Sequence, residues 1–575
     1  MAAHRKLDDT EASFEADYAE ASFDRLYTAD GSEEVHIVLT PRVFISGLVG
    51  SALLVSCLLL PRHEASTAKA LGVQDATRLD ATSSIQCANG FQRNFIWGLG
   101  TAAYQIEGGA ELMGREPSIW DAFSHSPGKV RNGDTGDWAA DHVHRFREDV
   151  RAMHSIGLEH YRFSISWSRV MSYDAETATM APNEEGLRFY DDLLALLEEQ
   201  GVTPYVTLYH WDLPVAVHQH MGGWHTPDND RIVNEFVKYA DLCFARYSAR
   251  VPFWVTFNEP WTFTVEGYDS GKSAPGCVPF QPGPGPIRCP GGDTTVYVVA
   301  HNVLNAHAAA AERFHSVYQS QHGGVLSMTL NCEMSLPASA SNSDAAAAER
   351  ANEFMLGWWL QPLLTGEYPR VMRDFVGVRL PTFTAEQAAL LVRSIDVLAL
   401  NHYSTHLVSD MSEVAPRPPG YAAWADDQRL STGFGQDWPE AESPWLRKYA
   451  PGFRALLNWA AGSGVARWKG AVYVTENGWS CHSMTADAAA RDEEQVGYYR
   501  DYVEQMRLAV VEDGVDVRGY FGWSLLDNYE CVRRLGPGPL LLVGLADGSR
   551  RSAPDAPAQM VGRLLEALRP FLRRL

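Results

Sequence analysis

Positive charge is in short supply in this sequence. Lys and Arg number 48 against 71 Asp and Glu, and the formal net charge is −23. Tracking a phosphate backbone needs clustered Lys and Arg, so nucleic acid is excluded as a partner. The eight cysteines include no Cys-x-x-Cys spacing of the kind that holds zinc. The glycine fingerprint that seats a dinucleotide is missing, and no Asn-x-Ser/Thr glycosylation acceptor occurs. Aromatic side chains, by contrast, are abundant: 17 residues are Trp, within a hydrophobic content of 46%. That composition excludes a disordered chain and suits a large core, or flat platforms for sugar rings.

Charge and hydropathy divide the chain. Residues 1–42 are predicted to be an acidic disordered tail, with ten Asp or Glu in the first 34 positions. "VFISGLVGSALLVSCLLL", residues 43–60, carries no charge and lies between Arg42 and Arg62. Its length is at the short end for a membrane span, and its polar flanks give a core helix nothing to pack on. It is predicted to be a transmembrane or signal-anchor helix, too far from Met1 for a cleaved signal peptide. Basic residues on both sides leave its orientation open. Residues 61–88 form a Ser/Thr/Ala-rich linker. Further on, Cys277 and Cys289 bracket the Pro/Gly loop "CVPFQPGPGPIRC". They are either two free thiols or a disulfide stapling a loop with no regular hydrogen bonds. A disulfide places this part of the chain in an oxidising lumen or outside the cell.

Residues 89–575 read as one globular domain. Short β-rich runs recur in it: "FIWGLGTAA", "YRFSISW", "TPYVTLYHW", "FWVTFNEP", "GVLSMTLNC", "VLALNHYS", "AVYVTENGW" and "VRGYFGWSLLD". Helical stretches separate them, such as "VNEFVKYADLCFARY" with its stripe at Val233, Phe236, Val237, Ala240 and Phe244. Strands alternating with helices imply parallel pairing by crossovers, and eight such units predict a (β/α)8 barrel with long loops. A doubly wound open sheet is the alternative. A barrel collects function at the C-terminal ends of its strands. Polar residues stand there in this sequence: Gln105, Arg162, His210, Asn258, Glu259, Asn401, Tyr403, Glu476, Trp523 and Glu530.

Two of these are carboxylates ending the fourth and seventh runs, Glu259 and Glu476. A lone strand-end Glu is ordinarily a helix cap or an ion-pair partner. Two across a sugar-sized cleft are what glycoside hydrolysis requires, one protonated to serve the leaving oxygen and one ionised. Repulsion from an ionised Glu476 is expected to hold the proton on Glu259.

"TFNEP" and "VTENG" resemble the two signature stretches of glycoside hydrolase family 1, the β-glucosidase family. The likeness runs through "FIWGLGTAAYQIEGG", "YRFSISWSR", "TLYHWDLP", "HNVLNAHA" and "WSLLDNYE", in order, from about Asn89 onward. It implies a retaining, two-step β-glucosidase working without metal or cofactor on a β-glucoside. By the resemblance Glu259 is the acid/base and Glu476 the nucleophile, with Arg162 and Tyr403 orienting the latter. The resemblance also implies that Asn258, His210, Asn401, Gln105 and Glu530 contact the sugar and that Trp523 floors it. Cys277 and Cys289 fall where plant-type members carry a disulfide.

Departures leave other readings open. "DNYEC" puts Cys531 where the family has a tryptophan, so the sugar pocket is expected to be remodelled there. A sugar-binding pseudoenzyme and a transglycosidase using the same intermediate are the alternatives. The segment 410–449, with Trp424, Phe434, Trp438 and Trp445, is expected to be a long surface loop or a leaving-group platform.

Overall fold

The computed structural model describes residues 90–529, apart from 228–229, parts of 280–290, 414–422, 463–466 and 481–492. The predicted tail, anchor (43–60) and linker lie outside the described residues, as do Glu530 and Cys531. Among the described residues no helix is long and apolar enough to cross a membrane.

Eight strands form a closed parallel barrel: β1 (Ile96–Gly100), β2 (His160–Ser164), β3 (Thr203–Tyr209), β4 (Phe253–Asn258), β5 (Val325–Asn331), β6 (Leu398–Asn401), β7 (Val472–Asn477) and β8 (Val517–Trp523). Each pairs with its chain neighbour, and β1 closes onto β8 with Ile96 opposite Gly519 and Gly100 opposite Trp523. Closure rules out the open-sheet alternative. The longer crossover helices are α1 (His142–Ser155), α2 (Glu184–Glu199), α3 (Asp230–Tyr247), α4 (Pro260–Tyr268), α5 (Thr295–Arg313), α6 (Asn342–Asn352), α7 (Trp358–Thr365), α8 (Ala450–Ala461) and α9 (Glu493–Val511).

Local sequence explains these elements. In β4, "FWVTFN", all six residues are buried, as a strand covered on both faces requires. The Asn183 side chain caps α2 by accepting from the Glu185 N–H, and Glu184 and Glu185 complement the positive end of the helix. Leu187, Tyr190, Leu194 and Leu197 then form its buried stripe.

The barrel interior has two layers of different chemistry. Near the N-terminal ends of the strands, Tyr205, Phe253, Val255 and Phe521 pack with Ile96, Val325 and Tyr473 into an apolar plug. Above it lie the polar side chains of the site. Gly98 makes room for the plug, because a Cβ there would stand 2.4 Å from the Phe521 ring.

Smaller pieces surround the barrel mouth. Met171–Asp174 and Thr179–Pro182 form a hairpin, and Met334–Pro337, Thr405–Asp410 and Leu430–Gly433 a three-stranded sheet. Neither was legible as periodicity, because strands of four to six residues are too short to show it. The 410–449 segment therefore supplies sheet and a helix (Ala423–Gln428), and its rings are packed. Trp424 meets Trp261 edge-on at 4.9 Å, Trp438 stacks on Tyr449 at 4.3 Å, Phe434 lies 4.8 Å from His406, and Trp445 lies 5.7 Å from Tyr403. The Cys277–Cys289 disulfide closes the Pro/Gly loop that follows α4.

Gly98→Ala is expected to destabilise the barrel by about 1–3 kcal/mol through overpacking, since the His160 carbonyl oxygen would also lie only 2.8 Å away. The urea unfolding midpoint measures this. An unchanged midpoint would show that Phe521 can step aside.

Candidate active site

Both candidate carboxylates depend on a break in strand alternation. Along β7, Tyr473 points into the plug and Val474 packs outward in the main core. Thr475 points inward again, its hydroxyl donating to Asn401 Oδ1 at 2.8 Å. Strict alternation would turn Glu476 outward. Instead the register with β6 shifts between Val474 and Glu476, and Glu476 also faces inward, to Arg162. On β4, Phe253 and Val255 face the plug and Thr256 faces outward to His307 on α5. Phe257 also faces outward, 4.4 Å from Phe236 on α3. A register shift between Val255 and Asn258 then aims Asn258 inward. Such irregularities redirect single side chains without moving the rest of the sheet.

Glu259 follows in the left-handed region, at φ 48°, a conformation a non-glycine residue adopts at a cost of about 1–3 kcal/mol. It stands at the N-cap position of α4, yet its side chain makes no capping bond. The carboxylate is held elsewhere. Asn401 Nδ2 donates to Oε1 at 2.8 Å and the Thr262 hydroxyl to Oε2 at 3.1 Å. Trp211, at the end of β3, is likewise left-handed at φ 72°, and its indole N–H donates to the Asn258 carbonyl at 2.9 Å.

Glu476 is gripped from both sides. Arg162, itself 1% exposed, donates from Nη1 to Oε1 at 2.5 Å, and the Tyr403 hydroxyl donates to Oε2 at 2.8 Å. The second guanidinium nitrogen of Arg162 donates to Asn258 Oδ1 at 2.7 Å, which also accepts from Asn401 Nδ2 at 3.2 Å. The two carboxylates are thus joined through Arg162, Asn258 and Asn401, all buried.

The electrostatics separate the pair. The Glu259 carboxyl is pushed up to about 8, chiefly by burial and secondarily by the negative charge of Glu476; Asn401, Thr262 and Arg162 pull it back. The expected repulsion from Glu476 contributes, and loss of water around Glu259 is the larger cause. His210 is held well below its ordinary value by burial and by Arg162, so it is neutral. Its Nε2 lies 3.3 Å from Asn258 Nδ2. Accepting from that amide leaves the ring proton on Nδ1, which is buried and has no hydrogen-bond partner among the described residues.

The remaining predicted residues among those described fall on the same rim. Trp523 is half-buried and stacks parallel to His210 at 5.8 Å. Gln105 is buried, its Nε2 donating to Asn528 Oδ1 at 3.1 Å and the Tyr529 carbonyl at 3.0 Å. Asn401, predicted to contact sugar, uses its amide nitrogen on Asn258 and Glu259 and its oxygen on Thr475. Both ends of its amide are thus engaged by neighbouring side chains of the site.

Sequence reasoning missed the ring that secures this rim. Asn477 donates to the His402 carbonyl at 2.5 Å and the Tyr498 hydroxyl at 2.9 Å, and accepts from Tyr520 at 2.7 Å. Tyr498 and Tyr502 of α9 both donate to the Tyr403 carbonyl, at 3.1 and 3.2 Å, and Tyr499 to the Trp523 carbonyl at 3.1 Å. Fully buried hydroxyls need partners, and the tyrosine cluster in "GYYRDY" was the available signal.

A parallel barrel with two buried carboxyls at its mouth, one gripped by Arg162 and Tyr403 and the other by Asn401 and Thr262, suits glycoside hydrolysis. Comparison with known proteins gives the family. Residues 87–535 match the model of glycosyl hydrolase family 1. Over 447 residues the chain is 40% identical to β-glucosidase 1B of Phanerodontia chrysosporium, covering 77% of this chain and 79% of that one. It is 37% identical to β-glucosidase 40 of Arabidopsis thaliana over 452 residues, 76% and 85% of the two chains. A family 1 β-glucosidase of Humicola insolens, solved with glucose, superposes with a TM-score of 0.74 at 36% identity, covering 82% of this chain and 98% of that one. A rice β-glucosidase mutant solved in a covalent complex with Glc gives 0.71 at 35% identity, covering 78% and 92%. The chain belongs to glycosyl hydrolase family 1, the enzymes that hydrolyse glycosidic bonds on this barrel.

The displaced titration of Glu259 has a consequence for stability. A carboxyl whose folded value lies above its unfolded one binds its proton more tightly in the native state, so stability falls as pH rises from about 4.5 to about 8. Glu259→Gln removes that dependence. Its melting temperature is expected to exceed that of the wild type at pH 9 and to converge with it at pH 4.5. A parallel pH dependence in both proteins would contradict the burial of an ionisable Glu259.

Proposed function

We propose that the protein is a retaining β-glucosidase, with Glu476 as nucleophile and Glu259 as acid/base. The observation that carries this reading is the asymmetry of the two carboxyls. Glu476 accepts from the Arg162 guanidinium and the Tyr403 hydroxyl, which fix and aim it. Glu259 is buried with a value of about 8 and keeps its proton at neutral pH.

In the first step Glu476 attacks the anomeric carbon while Glu259 gives its proton to the leaving oxygen. The ester so formed on Glu476 carries no charge. The repulsion that helped to raise Glu259 therefore disappears, and Glu259 can ionise and accept a proton from the incoming water. Asn258 and His210 stand beside the two carboxyls, and contacts to sugar hydroxyls there that tighten in the transition state would accelerate the reaction. Trp523 offers the ring an apolar face. The β-glucoside specificity is supported by the names of the relatives and by the glucose bound in the Humicola insolens structure.

The disulfide Cys277–Cys289 supports a catalytic domain in the secretory lumen or outside the cell, where such bonds persist. With residues 43–60 as the anchor, carbonate extraction leaves the protein in the membrane pellet; release into the supernatant would sink that assignment.

A 2-deoxy-2-fluoro glucoside is expected to label Glu476, detected by peptide mass spectrometry. A label elsewhere, together with turnover by Glu476→Ala, would end the nucleophile assignment. The value of about 8 for Glu259 sets the alkaline limb, so kcat/KM falls above about pH 8 as the acid loses its proton. In Glu259→Ala this limb disappears, and ordinary glucosides lose about 100-fold or more while aryl glucosides with good leaving groups still acylate. Equal losses on both substrate classes would contradict the acid role.

A further inference from the structure

We infer that Thr262, primed by Asn331, is a positioning residue that enables Glu259 to act as a base in the second half of the reaction. The inference rests on the acid/base reading of Glu259.

The geometry assigns the direction of each proton. Asn331, the last residue of β5, donates from Nδ2 to Thr262 Oγ1 at 3.0 Å. A hydroxyl whose oxygen already accepts on one side turns its own hydrogen to another partner. That partner is Glu259 Oε2, 3.1 Å away. Thr262 stands three residues after Glu259 in the first turn of α4, where the left-handed Glu259 brings the carboxylate back toward it. The Thr262 backbone N–H takes the Glu259 carbonyl at 3.0 Å, so main chain and side chain are both fixed against the same residue. Thr262 is 8% exposed.

Glu259 therefore receives a donor on each oxygen, Asn401 on Oε1 and Thr262 on Oε2. Donors stabilise the carboxylate and disfavour the carboxylic acid. This matters most after the first step. Water must then lose its proton to Glu259, and burial opposes ionisation of the base. The charges that act on Glu259 are those of Glu476 on β7 and Arg162 on β2, and Glu259 in turn acts on Tyr403 after β6. Of these only Arg162 brings positive charge, and it is bonded to Glu476 and Asn258. The hydroxyl of Thr262 is thus one of two uncharged donors that make the ionised acid/base accessible at neutral pH.

The test compares Thr262→Val, which keeps the shape and removes the hydroxyl, with Thr262→Ser, which restores the donor. Thr262→Val is expected to move the alkaline limb of kcat/KM upward by about half to one pH unit, because its acid is harder to ionise. On an aryl glucoside whose hydrolysis is limited by the second step, kcat falls about tenfold, while the pre-steady-state burst of phenol is retained. Thr262→Ser returns both quantities to wild-type values. Asn331→Ala, which frees the hydroxyl to rotate, gives a smaller shift of the same sign. An unmoved alkaline limb in Thr262→Val, or a Thr262→Ser enzyme that behaves as Thr262→Val, overturns the role of Thr262 alone. Wild-type turnover of unactivated glucosides by Glu259→Gln overturns the acid/base reading and this inference with it. Thr262→Ser keeps the comparison decisive if Thr262→Val is poorly folded.

Discussion

The buried ion pair between Arg162 and Glu476 is the contact on which the rest of the site depends. Each partner is almost free of water, with side-chain exposures of 1% and 5%. Placing two charges there brings little net stability, because desolvation offsets most of their attraction, but removing one partner leaves an uncompensated charge costing about 3–5 kcal/mol. The pair is therefore better understood as a device for geometry. It fixes one oxygen of Glu476, and through the second guanidinium nitrogen it fixes Asn258. Asn258 in turn engages Asn401 and His210. One cation sets the position of Glu476, the nearest amide and, at one remove, Glu259.

That cation can stand in the barrel only because the interior is divided. The lower half is filled by the rings of Tyr205, Phe253 and Phe521, which exclude water from beneath the site. The upper half holds the hydrogen-bonded polar layer. Water exclusion is also what pushes up the Glu259 carboxyl, so the apolar plug and the chemistry are two consequences of one packing arrangement. Around the outside, Tyr498, Tyr502 and Tyr520 tie Asn477 and the Tyr403 backbone together. They hold the ends of β6 and β7 in register, and with them the hydroxyl and the carboxylate that meet at Glu476.

Much of this was legible in the residues. The eight β-rich runs mark the eight barrel strands, because strands covered on both faces must be apolar and short. The polar residues at their ends mark the rim, since only there does a filled barrel open. Arg162, Tyr403, Glu259 and Glu476 come together as the motifs implied. The bond from Asn401 to Glu259 was not legible, as no pattern distinguishes an amide facing a sugar from one facing a neighbouring carboxylate. The tyrosines of α9 were not singled out. Their hydroxyl partners are main-chain carbonyls, which leave no trace in side-chain spacing.

Composition, periodicity and motif order determined the barrel, the carboxylate pair and the family, since each is written in residue type and interval. Tertiary structure decided which way the side chains point. By alternation alone Glu476 would face the helices, and the register shift beside it turns it to Arg162. The left-handed backbone of Glu259 likewise releases its carboxylate from capping α4 and delivers it to Asn401 and Thr262. Both choices are made by pairing with strands distant in the chain, so neither can be found in a local stretch of sequence.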